Sequence, residues 1–166
     1  MGVPFEKLED TLRDTDILGI SINPTSWSNM AKDLMKYAKR INPDLKIVIG
    51  GNEAIFRTEH YLRESPVDFA VTGEAENTIQ NLVEYLKGQK EIKDVKGIAF
   101  KQGNKVVRAM PAERPAMDKI PFPALDLLQE DIPLWTTPIE YFPTPKGVSS
   151  STGWLFLSRG CFQSCD

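Results

Sequence analysis

The chain has 166 residues, with 20 Lys plus Arg against 23 Asp plus Glu, 41% hydrophobic residues, 12 prolines and two cysteines. That length holds one domain, or one and part of another, and a net charge of -3 with a single histidine excludes nucleic-acid binding driven by a bulk basic field. The longest apolar runs, ILGISI and IVIGG, are short of the roughly 20 residues that a membrane span requires; no signal peptide is visible, and two cysteines close together form no disulfide framework and point to a reducing, cytoplasmic setting.

Taken in chain order, Met1 to Asp14 reads as a turn and a helix with Phe5, Leu8 and Leu12 on one face. Asp16 to Ile22 is a compact apolar run bounded by charged and turn residues, the pattern of a strand buried on both faces. Met30, Ala31, Leu34, Ala38 and Ile41 then recur at helical steps, and Asn42-Pro43 stops the helix. A second strand, Leu45 to Ile49, runs into Gly50-Gly51, which permits a sharp turn or a close approach of a ligand to the backbone. A weaker helix over about 57–64 leads through Ser65-Pro66 to a third strand, Val67 to Thr72. After it, GEAENT opens a helix with Ile79, Leu82, Val83 and Leu86 on one face and Gly88 near its end.

Strands alternating with amphipathic helices predict an α/β fold: a doubly wound, Rossmann-like (flavodoxin-like), mainly parallel sheet. Gly97 to Lys101, a turn at Gln102-Gly103-Asn104, and Lys105 to Arg108 read as an appended β-hairpin. Eight of the twelve prolines fall between Pro111 and Pro145, so this Pro-rich C-terminal extension reads mostly as a linker, with a short helix over 124–129 and a strand resuming at Trp154 to Ser158. The expected division is a cofactor-type domain over 1–110, a linker over 111–152 and the start of a second domain over 153–166. A doubly wound domain normally opens with a strand and this one opens with a helix, so the first strand is expected to be missing.

In open α/β sheets ligands bind beyond the carboxyl ends of the strands, near the point where strand order reverses. Three loops belong to that edge: Ser21-Ile-Asn-Pro-Thr25, Gly50-Gly51-Asn52-Glu53 and Thr72-Gly73-Glu74-Ala75-Glu76. Each joins small residues to hydroxyl, amide or carboxylate groups, which lets a large ligand lie on bare backbone while side chains orient it. Strand ends also need glycines and caps for their own sake. Glu74 and Glu76 are accounted for first by the positive end of the following helix, and Asp16 and Asp68 need not be phosphoacceptors. The tryptophans Trp27, Trp135 and Trp154 read as packing, and His60 as an exposed helix residue. Cys161 and Cys165 in SRGCFQSCD are two soft ligands with three residues between them. They fit one side of an iron cluster or of a zinc site, closing neither, or are incidental thiols.

The ordered set DILGIS, IVIGG, GEAENT, GIAFKQGNKVV, DKIPFPALDLL and LSRGCFQSCD resembles the cobalamin-binding-domain radical S-adenosylmethionine family, across the chain from Asp16 to Asp166. The resemblance implies an N-terminal Rossmann-like cobalamin domain, a proline-rich connection and a radical barrel whose first strand leads into CxxxCxxC. Cys161 and Cys165 would be the first two cysteine ligands of a [4Fe–4S] cluster, with the third expected two positions past Asp166. In the intact family that cluster reductively cleaves S-adenosylmethionine to a 5′-deoxyadenosyl radical acting on a small-molecule substrate, in a methyltransferase or an oxidative cyclase. Ser21, Thr25, Gly50, Gly51, Gly73, Glu74 and Glu76 would line the corrinoid cleft, and the chain by itself would be catalytically incompetent. The sequence departs from the family in lacking D-x-H-x-x-G, in Glu53 where GG-x-H-x-T has histidine, and in Ala75 where GEGE has glycine. Set apart from the resemblance, the three loops also suit a non-catalytic flavodoxin-like module that binds a nucleotide or a protein partner.

Overall fold

The run Lys-Ile-Val-Ile-Gly forms strand β2 (Lys46–Gly50), whose Ile47, Val48 and Ile49 are at most 2% exposed. This strand has a parallel neighbour on each side, β1 (Ile17–Ser21) and β3 (Phe69–Val71), so alternate side chains are driven into apolar layers on both faces. The computed structural model describes residues 4–23, 25–122, 124, 137–138 and 151–152. It divides into two compact units, Met1–Ile120 and Pro121–Asp166.

In the first unit the sheet order is β1-β2-β3-β4-β5, with β4 (Ile98–Gln102) antiparallel to β3 and closing a hairpin with β5 (Lys105–Arg108). The parallel sheet and its appended hairpin are as the sequence predicts. The order runs in one direction across the described strands, so the strand-order reversal expected beside the ligand site is not among them.

Helices α1 (Glu9–Arg13), α2 (Ser28–Ile41), α3 (Asn52–Phe56) and α4 (Thr58–Glu64) all cover one face. There Leu12, Met35, Ala38, Ala54, Tyr61 and Leu62 pack on Ile22, Ile47, Ile49, Ala70 and Ala99. Helix α5 (Glu76–Leu86) covers the other face, where Leu82 and Val95 meet Val48, Phe69, Val71 and Ile98. The loop read at Asn52-Glu53 is the first turn of α3, a helix too short to show periodicity in the sequence.

Strand β1 departs from its predicted burial. Gly19 and Ser21 are exposed, and Ile17, Leu18 and Ile20 are half-buried, because β1 pairs on one side only among the described residues. Leu18, Ile20 and Ile22 face the four-helix layer. By alternation Ile17, Gly19 and Ser21 face the α5 side, where Ile17 is the β1 residue that joins the packing.

Side-chain hydrogen bonds tie the amino edge of the sheet. Asn42, just past α2, donates Nδ2 to the carbonyls of Leu12 (3.2 Å), Arg13 (3.3 Å) and Thr15 (3.0 Å), and its Oδ1 accepts from the backbone N–H groups of Asp44 and Leu45. Asp68 accepts from Ile47 N at 2.8 Å and pairs with Lys39 Nζ at 3.0 Å, a bracing role at the edge away from the three glycine loops.

In the second unit the described residues are Pro121, Phe122, Ala124 and an antiparallel pair of two-residue strands, β6 (Thr137–Pro138) and β7 (Ser151–Thr152), within the stretch read as linker. The helix expected over 124–129, the strand over 154–158, Trp135, Trp154, Cys161 and Cys165 lie outside the described residues, apart from the backbone and exposure of Ala124.

Gly97 has a φ of +75°, and a Cβ there would lie 2.7 Å from Thr78 Oγ1 and 2.8 Å from the Ala112 methyl. Left-handed backbone costs an L-residue roughly 1–2 kcal/mol before any clash. Gly97→Ala is expected to lower the urea midpoint by at least that much stability with the m-value unchanged, as read by circular dichroism.

Candidate functional site

The parallel register sets Ser21 level with Gly50, so the chain segments after β1 and β2 leave the sheet side by side. Pairing continues past the strands: Ile22 N donates to Gly50 O at 2.9 Å, and Glu53 N donates to Ile22 O at 3.4 Å. Gly51 lies between them with a φ of +84° and ψ of 178°. A Cβ on Gly51 would meet Asn23 Nδ2 at 2.6 Å and Ile22 O at 2.9 Å, so only glycine lets the two connections approach this closely.

Gly50 and Gly73 have the opposite character. A Cβ on either would meet nothing within 4 Å, and the same holds for Gly19 in the middle of β1. Ser21 and Gly50 are register partners and Gly19 lies two residues before Ser21, so these three share the face that α5 leaves uncovered at β1. The result is a floor of main chain on which a flat or elongated group can rest without displacing a side chain. Sequence reasoning passed over Gly19, although a glycine inside a strand was itself the signal.

Of the other predicted site residues, Ser21 is exposed and its Oγ accepts from Asn23 Nδ2 at 3.2 Å. Thr25 opens a single 3-10 turn, Thr25–Trp27, ahead of α2. Glu74 is exposed in the loop after β3, and Glu76 is half-buried in the first turn of α5, where a carboxylate complements the helix dipole. Thr78 of the same segment is fully buried and donates to Lys96 O at 3.3 Å, tying α5 to the hairpin.

Two residues of the predicted edge loops, not among those expected to line the cleft, bind the connections together. Asn23 Oδ1 accepts from Asn52 N at 2.7 Å, a direct brace between the loops after β1 and β2. Glu53 is 7% exposed, and its Oε2 accepts from Tyr61 Oη at 3.3 Å with Arg57 Nη1 at 3.6 Å. Tyr61 is fully buried, and its Oη is 2.5 Å from Ser28 Oγ. Trp27 is 53% exposed rather than packed. Met30 in the first turn of α2, and Ile55 and Phe56 in α3, are exposed apolar side chains on the segments that follow β1 and β2. His60 is half-buried rather than exposed, taking Lys32 Nζ at 2.8 Å on Nε2 and meeting Tyr61 edge to face.

A separate cavity of about 380 Å³ lies at the amino edge, bounded by Asp16, Ile17, Leu45, Lys46, Val83 and Leu86. It is at the end of the strands away from the glycine loops.

A parallel sheet covered by helices, whose carboxyl edge presents bare glycine backbone, defines a Rossmann-like cofactor-binding domain. Residues 1–83 match the B12 binding domain family, to which this chain belongs. Over 156 residues it is 35% identical to an uncharacterized methyltransferase of Pyrococcus horikoshii, covering 92% of this chain and 31% of that protein. Over 157 residues it is 33% identical to the anaerobic magnesium-protoporphyrin IX monomethyl ester cyclase of Rubrivivax gelatinosus, covering 90% of this chain and 26% of the cyclase. Thus the chain spans about a third or less of these curated relatives. The cobalamin-dependent S-adenosylmethionine radical enzyme OxsB, with aqua-cobalamin and S-adenosylmethionine bound, superimposes with a TM-score of 0.66 at 25% identity over 78% of this chain and 18% of its own. TsrM of Kitasatospora setae shares the fold, with a TM-score of 0.58 at 15% identity over 66% of this chain and 22% of its own. Among the described residues no helix is long and apolar enough to cross a membrane.

Burial pushes the Tyr61 phenol above its ordinary value of 10.0, and the Glu53 carboxylate adds to the shift; the Ser28 hydrogen bond and the Arg57 charge oppose it. Lys32 Nζ, 5.5 Å from the ring centre and bonded to His60, completes the charged and titratable surroundings shown for Tyr61. Above pH 10 the unfolded chain therefore releases a proton that folded Tyr61 retains, so this group's contribution is complete below that value and is lost as pH rises through the folded pKa. Stability of the wild type is expected to fall more steeply above pH 10 than that of Tyr61→Phe, in paired urea titrations. Gly51→Ala is expected to cost about 1–3 kcal/mol in the same measurement at neutral pH, from its backbone conformation alone.

Proposed function

We propose that this chain is the corrinoid-binding module of a radical S-adenosylmethionine enzyme that performs a methyl transfer or an oxidative ring closure on a small molecule in a reducing cytoplasm. The observation that supports it most is the open main-chain floor of Gly19 and Gly50, with Gly73 at the same edge of the sheet. A corrinoid is a broad ring with amide arms, and it needs backbone accessible over a wide area with apolar surface at the margin. Trp27, Met30 and Phe56 are exposed on the departing segments and suit that margin.

When bound, the corrinoid supplies cobalt for methyl or electron transfer. The chain's own residues bind and orient it. Gly19, Gly50 and Gly73 leave the floor bare, Gly51 draws the connections after β1 and β2 together, and the Ser21 hydroxyl and Thr25 lie at the loop where polar arms arrive. Glu74 and Glu76 border the third loop, and Glu76 steadies the start of α5. Cys161 and Cys165 are proposed as two thiolate ligands of a [4Fe–4S] cluster that holds S-adenosylmethionine. Two thiolates alone do not close such a site, so radical chemistry is not expected of these residues by themselves.

Titration with hydroxocobalamin, followed by its visible spectrum and by retention on the protein after gel filtration, tests the reading. Gly50→Val is expected to fold normally, because a Cβ there meets nothing within 4 Å and a β-branched residue suits a strand, and to weaken corrinoid binding at least about tenfold, or 1.4 kcal/mol. Binding of FMN with no binding of hydroxocobalamin would favour the flavodoxin-like module instead.

A further inference from the structure

We infer that the buried Ser28–Tyr61–Glu53 relay is a positioning device for the corrinoid cleft, holding the connection after β1 and the connection after β2 at a fixed separation. The inference rests on the corrinoid reading and adds residues to it that lie behind the floor.

The chemistry of the relay fixes its polarity. A carboxylate only accepts, so the single phenolic proton of Tyr61 goes to Glu53 Oε2 at 3.3 Å. Tyr61 Oη is then the acceptor at 2.5 Å for the Ser28 hydroxyl. Arg57 Nη1 stands 3.6 Å from the same Glu53 oxygen and balances its charge.

The placement of the three residues turns this relay into a clamp. Ser28 is the first residue of α2, immediately after the connection over 22–27. Glu53 is the second residue of α3, two positions past Gly51. Tyr61 stands behind both on α4, fully buried in the same layer as Ile47, Ile49 and Leu62. Both loops are thus tied to one buried post. Asn23 Oδ1 to Asn52 N forms a second, outer tie between the same two loops.

A merely structural role is a poor account of this arrangement. Packing alone would be served better by apolar side chains, since burying hydroxyls and a carboxylate is costly unless each is satisfied. What hydrogen bonds add is a single distance between the loops, because an apolar contact tolerates sliding and a three-member relay does not.

Tyr61→Phe keeps the ring and removes only the bridging oxygen, and Ser28→Ala removes only the outer donor. Both are expected to retain the wild-type near-ultraviolet spectrum and to bind hydroxocobalamin about tenfold more weakly. Amides of residues 21–23 and 52–55 are expected to exchange with deuterium about tenfold faster, while those of β2 and β3 stay at the wild-type rate. Glu53→Gln keeps an acceptor for Tyr61 and is expected to return affinity to within about threefold of wild type. Wild-type affinity in Tyr61→Phe, or faster exchange spread evenly over the sheet, would overturn the inference. Absence of hydroxocobalamin binding by the wild type would instead overturn the corrinoid reading, and the exchange comparison would still decide whether the relay fixes the loops.

Discussion

The parallel pairing of β1 with β2, in the register that sets Ser21 opposite Gly50, is the constraint from which the rest of the molecule follows. Parallel strands end at the same side of the sheet, so their following connections must emerge together. Ile22 and Glu53 extend the backbone pairing beyond the sheet, and Gly51 supplies the one backbone conformation that fits between them. A shift of one residue would turn Ile47 and Ile49 toward α5 and move Gly50 off its face.

Two kinds of glycine serve this edge for opposite reasons. At Gly51 and Gly97 a side chain would collide with neighbours, so the residue is required for folding. At Gly19 and Gly50 a side chain would have room, and at β2 a β-branched residue would even suit the strand better. A residue that folding does not require, at the edge where ligands of open sheets lie, fits a surface that must remain bare for something else.

The helices are distributed unevenly over the sheet. Four lie on the face of Ile47 and Ile49, and α5 alone covers the face of Val48 and Phe69. Progression of the parallel strands in one direction with right-handed crossovers places their helices on one side. Helix α5 leads into an antiparallel strand and escapes that rule. Gly19 and Ser21 are consequently bare on the α5 face, and β1, continuous in its apolar character, is only half-buried.

The sequence by itself determined the alternation of strands and helices, the hairpin and the glycine-bearing ends of β2 and β3, because each is written in local periodicity and turn chemistry, whereas α3 at Asn52–Phe56 is too short to show in it. Motif order also pointed to the B12-binding family, and the matched family bears that out. Tertiary structure alone decided which glycines are obligatory and which are open, since a Cβ collision depends on residues such as Asn23 that lie across a strand pair. It also decided the joining of Ser28, Glu53 and Tyr61. These stand 33 and 8 positions apart, and the sequence marked Glu53 only as a member of an edge loop and a departure from a motif, leaving Ser28 and Tyr61 unremarked. Their proximity arises from three helices packing on one sheet face, a contact that no periodicity records.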